Sequence, residues 1–137
     1  MPLPALPSYV RFLRDPVAFA AHHEAAQVRR IKSPGTAAAY FAPLLASEEV
    51  EVVWVVALDA RSCPIGEYQV SRGTVDGACL HVREVFRGAV LLGATGVIVA
   101  HNHPSGDVTP SAEDRAITRD LAAARKILGI PLYRMAP

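Results

Sequence analysis

The strongest constraint on the fold is an unbroken apolar run, Val52-Val53-Trp54-Val55-Val56-Ala57-Leu58, rich in β-branched residues and stopped by Asp59. A strand with one wet face alternates apolar and polar residues; a run without alternation reads as a strand buried on both faces. Gly96-Val97-Ile98-Val99-Ala100 is a second buried strand. Helical patterns lie between and around the two. Arg83 to Leu92 place Val85, Phe86, Ala89 and Leu92 on one face, and Ala112 to Leu128 place Ile117, Leu121, Ala124 and Leu128 likewise. Helices alternating with strands predict an α/β (α+β-like) fold with a mixed sheet packed against helices.

The remaining elements follow from punctuation. Asp59 to Pro64 form a turn, and Gly66 to Ser71 a strand, so the first run and this one make an antiparallel hairpin. Gly129 is a natural residue to end the last helix, and Ile130-Pro131-Leu132-Tyr133 begins a further strand. Upstream, Tyr9 to Arg30 read as one or two helical pieces broken at Asp15-Pro16. Ser33-Pro34-Gly35-Thr36 reads as punctuation before a short amphipathic helix over Ala37 to Leu45. The chain has 137 residues, which suits one domain.

Composition narrows the function classes. With 51% hydrophobic and 20% charged residues, the chain reads as globular. A formal net charge of +1, with both signs spread along the chain, makes no electrostatic case for a nucleic-acid groove or an anionic membrane surface. Cys63 and Cys79 belong to no C-x-x-C pair and are too few for a disulfide framework, so two reduced thiols are expected. The start, Met1-Pro2-Leu3-Pro4-Ala5-Leu6-Pro7, has no basic region ahead of a long apolar run. No signal peptide, no membrane span and a cytoplasmic location are therefore expected.

Chemistry concentrates in His101-Asn102-His103-Pro104-Ser105-Gly106-Asp107-Val108-Thr109-Pro110-Ser111-Ala112-Glu113-Asp114. Two histidines at i and i+2 follow directly on a buried strand, and continued strand geometry projects both imidazoles to one face. The Pro-Ser-Gly turn reverses the chain, so that Asp114, in the first turn of the next helix, can point back at them. Two imidazoles and one carboxylate suit Zn2+, leaving a fourth position for water, as in catalytic rather than structural sites. A plainer explanation stands beside this one. Ser111-x-x-Asp114 is also a variant capping box, and each histidine alone could bond the backbone of a turn. The coincidence of all three favours the metal.

The same residues resemble the JAMM (MPN+) metalloprotease family: His-x-His, seven residues, Ser, two residues, Asp, with a glutamate far upstream. The fuller string from His101 to Asp107 with Pro110-Ser111 is similar to the bacterial RadC branch. That likeness extends through Leu58-Asp59, Val70 to Thr74, His81 to Phe86 and Leu128 to Leu132. The resemblance implies a JAB/MPN (cytidine-deaminase-like) architecture over residues 33–137, preceded by a helical or extended segment at 1–32. It implies a zinc-dependent peptidase or isopeptidase whose metal ligands are His101, His103 and Asp114. Its general base would be Glu51, which deprotonates the attacking water and returns the proton to the leaving amine. Glu49, two residues earlier on the same strand face, is the rival for that role, and Glu48 a weaker one. Ser111 would donate a hydrogen bond to the oxyanion.

Two departures from the RadC pattern stand out. RadC-like chains continue past Leu-Gly-Ile-Pro-Leu with an Asp-His pair and another strand, where this sequence has Tyr133-Arg134-Met135-Ala136-Pro137. A missing C-terminal strand would expose a sheet edge and favour a homodimer or aggregation. The residues before the domain also lack the glycine-hairpin signature of the DNA-associated module that longer members carry.

Two other functions compete with a hydrolase acting on a peptide or isopeptide substrate. One is a DNA-repair or mobile-element accessory role, which the charge balance disfavours. The other is a silent binding module, which the intact motif disfavours. A zinc deaminase is disfavoured by the absence of Pro-Cys-x-x-Cys. His22-His23-Glu24 reads as a solvated helix face, Trp54 as core, His81 as part of the turn before a helix, and Arg83 and Glu84 as surface pairs. Asp107 is expected to stabilise its own turn.

Overall fold

The computed structural model describes residues 16–73, 80–104 and 112–134, with the side chains of residues 16 and 112–114 outside the description. Helices α1 (Pro16–Ala26) and α2 (Pro34–Leu45) precede strands β1 (Val52–Leu58) and β2 (Pro64–Arg72). Helix α3 (Val82–Leu92), strand β3 (Gly96–His101), helix α4 (Ala112–Leu128) and strand β4 (Leu132–Arg134) follow. The four strands form one mixed sheet in the order β2-β1-β3-β4. β1 is antiparallel to both β2 and β3, whereas β4 runs parallel to β3. This is the α/β arrangement that the sequence predicts.

β1 lies at the centre because nearly every one of its side chains is buried, on alternate faces. Val53, Val55 and Ala57 pack with Val97, Val99 and Tyr68 beneath Val85, Phe86 and Ala89 of α3 and Leu121 of α4. Val56, Leu58, Ile98 and Ala100 pack on the opposite face against Ala37, Tyr40, Phe41 and Leu44 of α2. Helices thus cover both faces, which removes the apolar run from water. Where α3 crosses β2 the approach is close. A Cβ at Gly88 would lie 2.5 Å from the Tyr68 ring, so only glycine fits there without a shift.

The hairpin of β1 and β2 and the helices α3 and α4 agree with the sequence expectations. β2 is longer than the predicted Gly66 to Ser71. The antiparallel ladder with β1 extends from Leu58↔Pro64 to Val52↔Arg72, two irregularities absorbing the extra residues. Gly93 and Gly129, both with φ of 66°, end α3 and α4 in the left-handed conformation that glycine adopts without penalty.

Two expectations are corrected. Ser33-Pro34-Gly35-Thr36 is not punctuation ahead of a helix but its first turn. The Ser33 side chain accepts from the Thr36 amide at 3.1 Å, Thr36 Oγ1 accepts from the Ser33 amide at 3.1 Å, and Pro34 occupies a position whose missing N–H costs nothing. His22 is not on a solvated face; it is 7% exposed. Its Nδ1 meets Glu67 Oε1 at 2.7 Å, and its Nε2 donates to the Tyr40 carbonyl at 2.7 Å. Tyr9 to Asp15, the first part of the predicted helical stretch, lie outside the described residues. So does Cys79. Among the described residues no helix is long and apolar enough to cross a membrane.

Candidate metal centre

β3 carries its register with β1 to the pair Val53↔His101 and ends there. Alternation places His101 on the face of Val97 and Val99, and places Glu51, two residues before Val53, on the face of Val53 and Val55. These are one face of the sheet, the one beneath α3 and α4. A cavity of about 220 Å³ opens there, and Glu51 and His101 both line it, with Val53, Val99 and α4 residues Ile117 and Leu121 as apolar walls.

The imidazoles of His101 and His103 lie side by side, ring centroids 4.5 Å apart and planes at 75°. The i, i+2 spacing therefore does what the sequence predicts of it: both rings come to one place at the strand end. His103 Nε2 is buried and has no hydrogen-bond partner among the described residues. A buried polar nitrogen left unpaired costs about 1–3 kcal/mol, and in a folded protein such an atom calls for an ion or water at that point. Imidazole nitrogen is a good zinc donor, so the residues present fit that metal.

The other predicted site residues fall unequally. Asp114 belongs to the first turn of α4 by its backbone, and its side chain lies outside the description. Ser111 and Asp107 lie outside the described residues. No group of three potential metal-binding side chains occurs among the described residues, Asp114 not being among those whose side chains are described. Of the three upstream glutamates, Glu51 lines the cavity with His101. Glu48 is turned to the surface, where both its oxygens meet the Arg72 guanidinium at 3.0 Å. Glu49 is exposed and does not line that cavity.

Three residues of the site escaped the sequence reading. Asp120 of α4 and Arg134 of β4 line the same cavity. Asp120 could have been found from helical spacing, since it follows Ala116 by four residues and precedes the core residue Leu121. Arg134 is aligned with Val99 in the β3–β4 ladder, and its guanidinium bonds the Thr118 hydroxyl. Asn102, read only as the spacer between two histidines, bonds the main chain on both sides of Glu51: its Oδ1 accepts from the Val52 amide at 2.7 Å and its Nδ2 donates to the Val50 carbonyl at 2.9 Å.

A mixed sheet clad by helices, with a histidine pair at the end of an inner strand and a carboxylate on the same face, is an α/β domain with its polar groups gathered at one strand end. The sequence matches the model of the RadC-like JAB domain over residues 31–134. The chain belongs to that family. It is 52% identical over 84 residues to a UPF0758 protein of Thermotoga maritima, covering 61% of this chain and 38% of that one. It is 44% identical over 108 residues to a UPF0758 protein of Symbiobacterium thermophilum, covering 77% and 46% respectively. A UPF0758 protein of a Cyanothece species is 44% identical over 102 residues, 74% of this chain and 42% of the relative. The chain therefore spans less than half the length of these curated relatives.

Proposed function

We propose that the chain is a zinc-dependent hydrolase of the JAMM type, cleaving a peptide or isopeptide bond. The observation that carries this reading is the adjacency of the two imidazoles, one with a buried nitrogen that has no partner among the described residues, beside a cavity that Glu51 and His101 both line. His101, His103 and Asp114 would hold the metal, which when bound supplies a Lewis acid and brings water ionisation down to about neutral pH.

The protein's own part is proton handling and placement. Glu51 takes the proton of the attacking water and delivers it to the departing amine, the same carboxylate acting first as base and then as acid. Ser111 donates a hydrogen bond to the oxyanion. The apolar wall of Val53, Val99, Ile117 and Leu121 lowers the local dielectric, which strengthens each of these interactions. The substrate is a polypeptide, and membership of the family does not narrow it further. The near-neutral charge supports no nucleic-acid partner.

The test is hydrolysis of an internally quenched peptide and of its lysine-isopeptide counterpart by zinc-loaded protein. Glu51→Gln should keep its metal and lose about 10²–10⁴-fold in rate, the usual worth of a positioned acid–base group. Undiminished turnover in that variant would move the base elsewhere, and a zinc-loaded wild type inert to both probes would defeat the reading.

A further inference from the structure

Glu51 stands just before β1, where the regular ladder with β3 has already stopped at Val53↔His101. A glutamate at such a ragged strand end would ordinarily swing with its backbone. Here hydrogen bonds to its own carbonyl and to the main chain on either side hold it. The carbonyl of Glu51 accepts from the Gly73 amide at 2.8 Å, on the β2 side. On the β3 side, beyond the last ladder pair, the Asn102 side chain bonds the main chain before and after Glu51. A primary amide is a fair copy of a peptide group, with one acceptor and a donor side by side. The oxygen faces an N–H and the nitrogen faces a C=O, so the orientation of the amide is set by its partners.

The consequence is geometric. Peptide groups are planar, so a hydrogen bond to either end restrains the whole plane. The bond to the Val50 carbonyl restrains the plane before Glu51; the bonds from the Val52 amide and from Gly73 hold the plane after it at both ends. With both planes held, φ and ψ of Glu51 are set, and with them the direction of its Cα–Cβ bond. Because Asn102 lies between His101 and His103, the same residue ties the glutamate to the two imidazoles.

We propose that Asn102 is a positioning residue that sets the carboxylate of Glu51 against the histidine pair; this rests on the reading of Glu51 as the base. Asn102 touches no reacting atom and acts through the backbone on either side of Glu51.

The experiment compares zinc-loaded wild type with Asn102→Ala and Asn102→Asp, by metal content, amide hydrogen exchange at Val52 and hydrolysis of the two quenched probes. Asn102→Ala should bind zinc as wild type does. Its Val52 amide should exchange about five- to tenfold faster, the worth of one hydrogen bond. Its kcat should fall about 10–100-fold with KM little changed, the scale of a small misplacement of a reacting group. Asp at this position can accept from Val52 but cannot donate to Val50, so exchange at Val52 should return towards wild type while kcat stays reduced. In a Glu51→Gln background Asn102→Ala should lower the residual rate no further. Unchanged exchange at Val52, an unchanged kcat, loss of zinc from Asn102→Ala, or an equal further drop in the Glu51→Gln background would each overturn the proposal. A wild type that binds zinc but cleaves neither probe overturns the hydrolase reading instead, and the catalytic role of Asn102 with it.

Discussion

His22 and Glu67 form a buried pair across 45 residues of sequence, the His22 Nδ1 lying 2.7 and 2.9 Å from the two carboxylate oxygens. The Tyr40 hydroxyl donates to the same carboxylate at 2.8 Å, and His22 Nε2 donates to the Tyr40 carbonyl. Helix α1 lies ahead of residues 31–134, the part that matches the family model, so this cluster fastens it to that domain through α2 and β2. Each polar atom of the cluster is satisfied by another, which is what makes burial of a charged group tolerable.

Removing one partner should therefore be severe. His22→Ala removes the imidazole from a buried carboxylate and leaves the Tyr40 hydroxyl bond in place, and breaking a buried pair costs about 3–5 kcal/mol. Urea unfolding should show a midpoint lowered by a corresponding amount. Glu67→Gln, which keeps the shape and removes the charge, should be milder. A His22→Ala variant within 1 kcal/mol of wild type, by the same scale, would show that α1 is not held in this way.

Gly88→Ala tests the seat of α3. Alanine is worth about 1 kcal/mol over glycine in a helix interior. The added Cβ, however, would stand 2.5, 2.7 and 2.9 Å from three atoms of the Tyr68 ring. Tyr68 is fully buried and its hydroxyl donates to the Val85 carbonyl, so the ring has nowhere to retreat. Overpacking of this kind costs about 1–3 kcal/mol and should outweigh the helical gain, giving a lower Tm. Gly35→Ala, whose Cβ would meet nothing nearer than Ser33 Oγ at 3.8 Å, should not lower it.

Asp59 gives a pH test. Its carboxylate accepts from the amides of Cys63 and Arg61 at 3.0 and 2.8 Å, and these bonds hold its pKa below the usual carboxylate value. A group whose pKa is lowered on folding stabilises the fold above its unfolded value, and that contribution disappears as pH falls through the folded value. The advantage of wild type over Asp59→Asn in thermal unfolding should therefore be present near neutrality and shrink on acidification towards pH 3. A difference that grows on acidification would contradict the assignment.

The legible parts of this molecule were those written in short-range periodicity. Val52 to Leu58 and Gly96 to Ala100 announce doubly covered strands, because burial on both faces removes every polar residue from the run. His101 and His103 announce neighbouring rings, because a pleat of period two sends i and i+2 the same way. Glu51 is chosen over Glu49 in the sequence only through a family likeness; the cavity shared with His101 is a separate, physical reason. What stayed hidden depends on partners far along the chain. Nothing near His22 reveals Glu67, and nothing near Asn102 reveals Val50 and Val52. The first turn of α2 was obscured for another reason. Ser-Pro-Gly-Thr carries the residues of a loop, and only the reciprocal Ser33–Thr36 bonds make it a helix start.

We propose that His101 and His103 hold a metal together with Asp114. Elemental analysis of purified protein, wild type beside His103→Ala and Asp114→Ala, tests it most directly. The account predicts about one zinc per chain in the wild type and its loss from both variants, since three protein ligands are the usual minimum for a catalytic site. A wild type without zinc after reconstitution, or variants that keep it, would contradict the account. Ser111 and Asp114 would then stand as a capping box and nothing more.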